Sequence, residues 1–363
     1  MAGGDRDMTA LLSAWCRREG HRAQLLQPAP SGVRAHLIKG SRGDRWHAAE
    51  RAGGPAGDGV VARPPDRWGL AARGALVGTG GPDLGYAAAD RDVVWADLAP
   101  RLYAHAASAQ WNPATAVHWD ADSTLPAPVE QAVVQIMTYL VENEQVALVV
   151  PGRLLAQVHP HFREVLQLLA VQAAEEARHV EVFTRRALLR GGRMGTSSAG
   201  GRASLATLLS EPDFSLATFL LPVLGEGTFL NLLSFLDQHA PDPVTRVVTR
   251  LARQDEARHV AFGVAHLAHR STADPAFRSR LRGAVERRHD ALLDTTGLNA
   301  DVFDALVLLA AGFWEPAAVA RGYRLVQQLQ EEMDDGRRHR LARLGFPDDK
   351  AAELSALHTR NFM

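Results

Sequence analysis

Residues 175–183 read EEARHVEVF and residues 255–263 read DEARHVAFG, so one chain writes Glu-Ala-Arg-His twice. In a helix, residues i and i+3 differ by about 300°, which sends Glu176 and His179 out from nearly one face, and Glu256 and His259 likewise. Each helix can then offer one oxygen and one nitrogen ligand to a common point. The spacing alone is not specific: with 17 glutamates and 15 histidines in 363 residues, about 0.7 such spacings arise by chance. A third copy, Glu286 to His289 in VERRHD, has no symmetric partner and reads as a solvated helix face.

The pair gains meaning from two further carboxylates. Bundles that hold two metal ions use one Glu from each of two helices and Glu-x-x-His from each of the other two. Glu226 is the only charged residue between Asp213 and Asp237, in an apolar stretch where an unpaired carboxylate is costly to bury. Before the first repeat stand Glu142 and Glu144. Helical phase favours Glu144, because Val133, Met137, Leu140, Glu144 and Ala147 share a face, whereas Glu142 shares one with Gln135, Thr138 and Gln145. Four buried carboxylates repel one another unless cations sit between them, and two divalent ions balance their charge. Carboxylates with two imidazoles suit iron or manganese.

Neighbouring residues admit two readings each. Glu175 and Asp255 can pair with Arg178 and Arg258 on the rear of their own helices, or accept the free N–H of a ligand histidine on the other helix, and both can hold. Gly225 and Gly227 either let the facing helix approach closely or weaken their own. Phe183, Phe219, Phe229, Leu233 and Phe262 line a substrate pocket or, more commonly for such positions, a packed core. Tyr139 reads as a core tyrosine before it reads as a gate or radical relay.

Elements able to position these groups follow from the punctuation of the chain. Apolar periodicity predicts helices near 92–109, 127–150, 160–190, 213–239, 243–270, 275–296, 300–312, 314–335 and 347–357. Pro151 and His159-Pro160 mark one turn, APDP at 240–243 another, and GGRMGTSSAGGRAS at 191–204 a flexible crossover. Two helix hairpins joined by one long connection give an all-α, ferritin-like four-helix bundle with additional flanking helices. Residues 1–90 are rich in Gly, Pro and Arg and read as a loop-rich N-terminal extension before the bundle domain at 91–363. A helix is expected near 5–26, with short strands at GVRAHLI and GVVA.

Composition narrows the partners. With 40 basic and 41 acidic side chains there is no field to collect nucleic acid. No run approaches the roughly 18 consecutive apolar residues of a membrane span, and the first residues lack the order of a secretory signal. The single cysteine, Cys16, excludes an internal disulfide and a cysteine-based cluster, which points to a reducing cytoplasm.

ENEQ at 142–145, EEARH at 175–179, GEG at 225–227 and DEARH at 255–259 together resemble the ligand set of ferritin-like diiron-carboxylate proteins. That superfamily includes the ribonucleotide reductase small subunit, bacterial hydroxylases and p-aminobenzoate N-oxygenases. WNPATAVHWD (111–120) and the closing LHTRNFM are also similar to ferritin-like oxygenases of actinobacterial type. The resemblance implies metal ligands, and hence a catalytic site, at Glu144, Glu176, His179, Glu226, Glu256 and His259. It implies two Fe ions or a Mn/Fe pair as cofactor, dioxygen as co-substrate, and a small organic substrate undergoing hydroxylation, N-oxygenation or desaturation in specialised metabolism. An external electron donor such as a ferredoxin or reductase is expected, as is a homodimer; an iron-storing ferroxidase is the other reading. Phe183 stands where the reductase subunit usually has its radical tyrosine, which disfavours radical storage. Ala252 stands where the N-oxygenases have a further histidine.

Overall fold

The computed structural model describes residues 4–29, 32–40, 46, 48–55, 59–121, 124–293 and 300–358. Two compact units emerge, one of Met1–Gly85 with His159–His161, the other of Tyr86–Val158 with Phe162–Met363.

The larger unit is all-α. Its first bundle helix, Ala127–Leu155, forms a hairpin with the second, Arg163–Leu188. A third, Phe214–His239, pairs with the fourth, Pro243–Ala273. Pro151 was expected to end the first helix. Instead the helix runs one turn further, giving up only the hydrogen bond that a proline nitrogen cannot donate. The break at 240–242 falls as expected: Asp242 caps the fourth helix by accepting from the Thr245 amide at 2.8 Å, and Pro243 supplies the fixed φ of the first turn. Asp242 also meets Arg186 of the second helix at 3.0 Å, while Glu130 of the first helix takes the same guanidinium at 2.7 and 3.0 Å. Three helices are thus tied by one buried, bidentate cation.

The third helix is not uniform. Phe219–Glu226 is π-helical, with the Gly227 amide reaching back five residues to the Pro222 carbonyl. Pro222 has no N–H for the preceding turn, a cause of local rewinding, and such segments recur at functional sites. Although no uninterrupted apolar run spans it, Phe214–His239 includes an 18-residue window of mean hydropathy 1.6, long and apolar enough for a membrane span; 78% of that window is buried inside the protein.

The crossover between the hairpins is a correction. Rather than being flexible through 204, it contains the helix Ala199–Leu209, whose cap Ser198 accepts from the Gly201 amide at 2.9 Å. The helix expected at 92–109 is two pieces, Arg91–Val94 and Ala99–Ser108. Phe277–Ala291, Ala300–Ala311, Pro316–Arg343 and Asp348–His358 flank the bundle. The third of these runs well past the expected 335. One apolar core joins all four bundle helices to Ala300–Ala311 and Pro316–Arg343, with Tyr139 and Phe229 stacked across it at 5.9 Å.

In the smaller unit the first helix, Gly4–Glu19, stops before the expected 26, because Gly20 takes φ 78° and turns the chain into a strand. That strand, Arg22–Ala29, pairs antiparallel with Gly32–Ile38, the predicted GVRAHLI strand. GVVA forms no strand, and Glu50–Arg51 pairs with Leu76–Val77 instead. His161 accepts from the Val61 amide at 3.0 Å and packs on Trp68.

Candidate metal centre

Glu176 and His179 on the second bundle helix and Glu256 and His259 on the fourth are each no more than 1% exposed, and their side chains converge. The Nδ1 of His179 lies 3.1 Å from Glu176 and 3.4 Å from both Glu144 and Glu256. The Nδ1 of His259 lies 3.0 Å from Glu176 and 3.3 Å from Glu256. Glu176 and Glu256 therefore reach both histidines. Two four-residue sets result, Glu144, Glu176, His179 and Glu256, then Glu176, Glu226, Glu256 and His259, with the ligand atoms of each set within 4.8 Å of one another. Ligand bonds of about 2 Å put opposite donors about 4 Å apart, so each set has the size to surround one ion. All six residues singled out in the sequence are brought together. Glu142 stands outside the sets, and so does the 286–289 copy, where Glu286 pairs with Arg282 at 2.7 Å on a partly exposed face.

A cation fits this donor set. Glu144 Oε1 and Glu226 Oε2 are buried and receive no hydrogen bond from any described residue, a costly state for a carboxylate oxygen. Burial, then the charges of Glu256 and Glu176, drive the carboxyl groups of Glu144 and Glu226 far above the usual range. Glu176 goes the other way: burial opposes its charge, but His259 and His179 beside it outweigh burial and hold it well below. Both histidines rise well above their ordinary value. Burial works against that rise, and for His179 the partners Asp255 and Glu144 overcome it, for His259 the charges of Glu176 and Glu256. The cluster takes up positive charge wherever protons can supply it, which is the demand that two divalent ions meet.

The outward nitrogens are fixed by a crossed pair of carboxylates. Asp255 of the fourth helix lies 3.1 Å from Nε2 of His179 on the second, and Glu175 of the second lies 2.8 Å from Nε2 of His259 on the fourth. Each histidine thus donates from Nε2 and keeps Nδ1 for the interior. Asp255 also accepts from Arg178 at 2.7 Å and from the Trp111 indole at 2.8 Å, and Glu175 from Gln110 at 2.7 Å and from Arg258. The crossed arrangement is one of the two readings the sequence allowed. The ion pair along the helix coexists with it, close for Asp255 and Arg258, but 3.9 Å for Glu175 and Arg178.

Sequence reasoning assigned no role to Gln110, Trp111 or Gln172. Gln172 is buried and donates to Glu226 at 3.4 Å; its place four residues before Glu176, on the same helix face, was the available signal. Gly227 does permit a close approach, but from Arg340 of the flanking helix Pro316–Arg343, whose Nε a Cβ there would meet at 2.4 Å. The close packing of helices three and four occurs instead at Gly263, against Pro222 and Val223. Phe183, Phe219, Leu233 and Phe262 are core residues, and Phe229 both belongs to the core and lines a small, mostly apolar cavity. Glu144, Glu226 and Glu256 form part of its wall, facing Leu208, Leu221 and Phe229.

No protein-family model matches the sequence, and no curated protein is similar to it. Among solved structures, a variant of an R2-like ligand-binding oxidase with aerobically reconstituted Mn/Fe cofactor is similar to this chain with a TM-score of 0.50 and 16% identity, over 72% of this chain and 94% of that one. Another variant of that oxidase, also with a Mn/Fe cofactor, gives a TM-score of 0.47 and 17% identity over 71% and 95%. The likeness agrees with the arrangement built above: this chain has the ferritin-like fold and carries at its centre a buried glutamate and histidine cluster that can hold two metal ions.

Proposed function

We propose that this protein is a dimetal oxidoreductase that uses dioxygen to oxidise a small organic molecule. The observation that carries the reading is the sharing of Glu176 and Glu256 between two four-residue sets, one completed by Glu144 and His179, the other by Glu226 and His259. These six residues would hold the ions, either two Fe or, as in the similar R2-like oxidases, one Mn and one Fe. A bound pair of such ions supplies the electron transfer to dioxygen that side chains cannot. The chain itself contributes the rest. Asp255 and Glu175 hold the imidazole tautomers, Gln172 orients Glu226, and the apolar wall of Leu208, Leu221 and Phe229 keeps water from the reacting centre.

Hydroxylation or N-oxygenation places one atom of dioxygen in the substrate and releases the other as water, with two electrons and two protons from an external donor such as a ferredoxin or reductase. Desaturation takes two hydrogens from the substrate and releases two waters with the same external input. An apolar cavity against the carboxylates supports an organic substrate over an iron-storing ferroxidase. Oxygen uptake by the iron-loaded protein tests this. Uptake triggered by organic compounds supports the oxygenase, and turnover with excess iron alone, with mineral accumulation, overturns it.

A further inference from the structure

The run VERRHD, read from sequence as solvated, hides a buried cation. Arg288 is 7% exposed and no carboxylate among the described residues pairs with it. Its Nε donates to Thr207 Oγ1 at 3.0 Å, one terminal nitrogen to Ser204 Oγ at 2.7 Å, and the other to Nδ1 of His358 at 3.4 Å. Burial lowers its pKa only to about 10, so the charge persists at neutral pH. An isolated buried guanidinium is costly, and a small anion is what relieves it.

His358 adds a second donor. Burial, then Arg288, Arg337 and Arg340, hold its pKa well below the usual value, so the ring is neutral. Since Nδ1 accepts from Arg288, the proton sits on Nε2, and that nitrogen is buried without a partner among the described residues. Arg288 and His358 line the same cavity as Glu144, Glu226 and Glu256, beside Leu208, Leu220, Leu221 and Phe229. A guanidinium and a neutral imidazole N–H match one singly charged acceptor, and a dianion would suffer more from the three glutamates.

We propose that this cavity binds an organic carboxylic acid, with its carboxylate on Arg288 and His358 and its apolar body along the leucines and Phe229. This names the substrate class for the oxidoreductase reading above and rests on it.

Calorimetric binding of benzoate and hexanoate, against benzamide and hexanamide, tests the proposal on metal-loaded protein and on Arg288→Met and Arg288→Lys. The acids are expected to bind at least about tenfold more tightly than the amides, with the preference lost in Arg288→Met and partly kept in Arg288→Lys, at unchanged metal content. Should Arg288→Met not fold, Leu221→Trp, which fills the apolar wall, is expected to weaken acid binding about tenfold. Equal binding of acids and amides, a preference that survives Arg288→Met, acid binding untouched by Leu221→Trp, or Arg288-dependent binding of inorganic phosphate without any acid overturns the proposal. Arg288-dependent acid binding without two metals or oxygen uptake leaves the anion site standing and removes the oxidoreductase reading. Two metals and oxygen uptake without acid preference do the reverse.

Discussion

Asp255 and His179 sit on different helices, yet the Asp255 carboxylate accepts the imidazole N–H at 3.1 Å and turns the other ring nitrogen toward Glu144, Glu176 and Glu256. Glu175 and His259 repeat the relation in the opposite direction, at 2.8 Å. Histidine orientation at this centre is therefore set by the neighbouring helix. Asp255→Ala should lower metal affinity by about 10- to 100-fold while leaving both ligand histidines present. Equilibrium dialysis with Fe(II) or Mn(II) reads the effect, and an unchanged dissociation constant would refute the orienting role.

The two glutamates two residues apart on the first bundle helix give a paired test. Glu144→Ala should drop bound metal from two ions to one or fewer per chain, whereas Glu142→Ala should keep two, because only Glu144 reaches the cluster. Glu226→Ala should behave as Glu144→Ala does, with circular dichroism unchanged. Elemental analysis of anaerobically purified protein decides, and two ions in Glu226→Ala would remove it from the ligand set.

Stability should depend on pH through His266, about two turns beyond His259 on the fourth helix. Burial is the main cause that pushes its pKa from 6.5 down to about 4; Nδ1 donates to the Trp95 carbonyl at 2.8 Å and Nε2 pairs with Ser215 at 2.9 Å. The folded state resists protonation that the unfolded chain accepts. Stability is thus fully present above about pH 6.5 and lost as pH falls toward 4, by on the order of 3 kcal/mol. Denaturant titrations across that window should show the slope, and His266→Gln should make it shallower. An equally steep slope in the variant would assign the effect elsewhere.

Gly263 lies one turn beyond His259, and a Cβ there would stand 2.8 Å from Pro222 and 3.1 Å from Val223. Gly263→Ala should destabilise the protein by about 1–3 kcal/mol by forcing the third and fourth bundle helices apart. Thermal melts check it, and an unchanged midpoint would mean that the helices yield freely.

Much of this centre was legible because its residues obey local rules. The two Glu-x-x-His spacings place ligands on one face, the apolar run around Glu226 makes its charge conspicuous, and helical phase separates Glu144 from Glu142. Tertiary contacts obey no such rule. Arg288 looks solvated within VERRHD because Glu286, Arg287 and Asp290 beside it are charged, and only the packing of Phe277–Ala291 shows that its side chain is buried. Gly227 signals a close approach but not that the visitor is Arg340. The helix Ala199–Leu209 was obscured by the paired glycines in its first turn, whose low propensity is overcome by the Ser198 cap and by burial of Leu205 and Leu208.

Turns closed over five residues advance by a smaller angle per residue than α turns, so the stretch from Phe219 to Glu226 leaves everything after it rotated relative to an unbroken α-helix. Glu226 closes that stretch, and its aim is the accumulated result of the winding before it. Removing one residue upstream would swing the carboxylate around the helix axis without altering its chemistry. Winding pitch, as well as residue identity, determines whether the third helix contributes its oxygen to the centre.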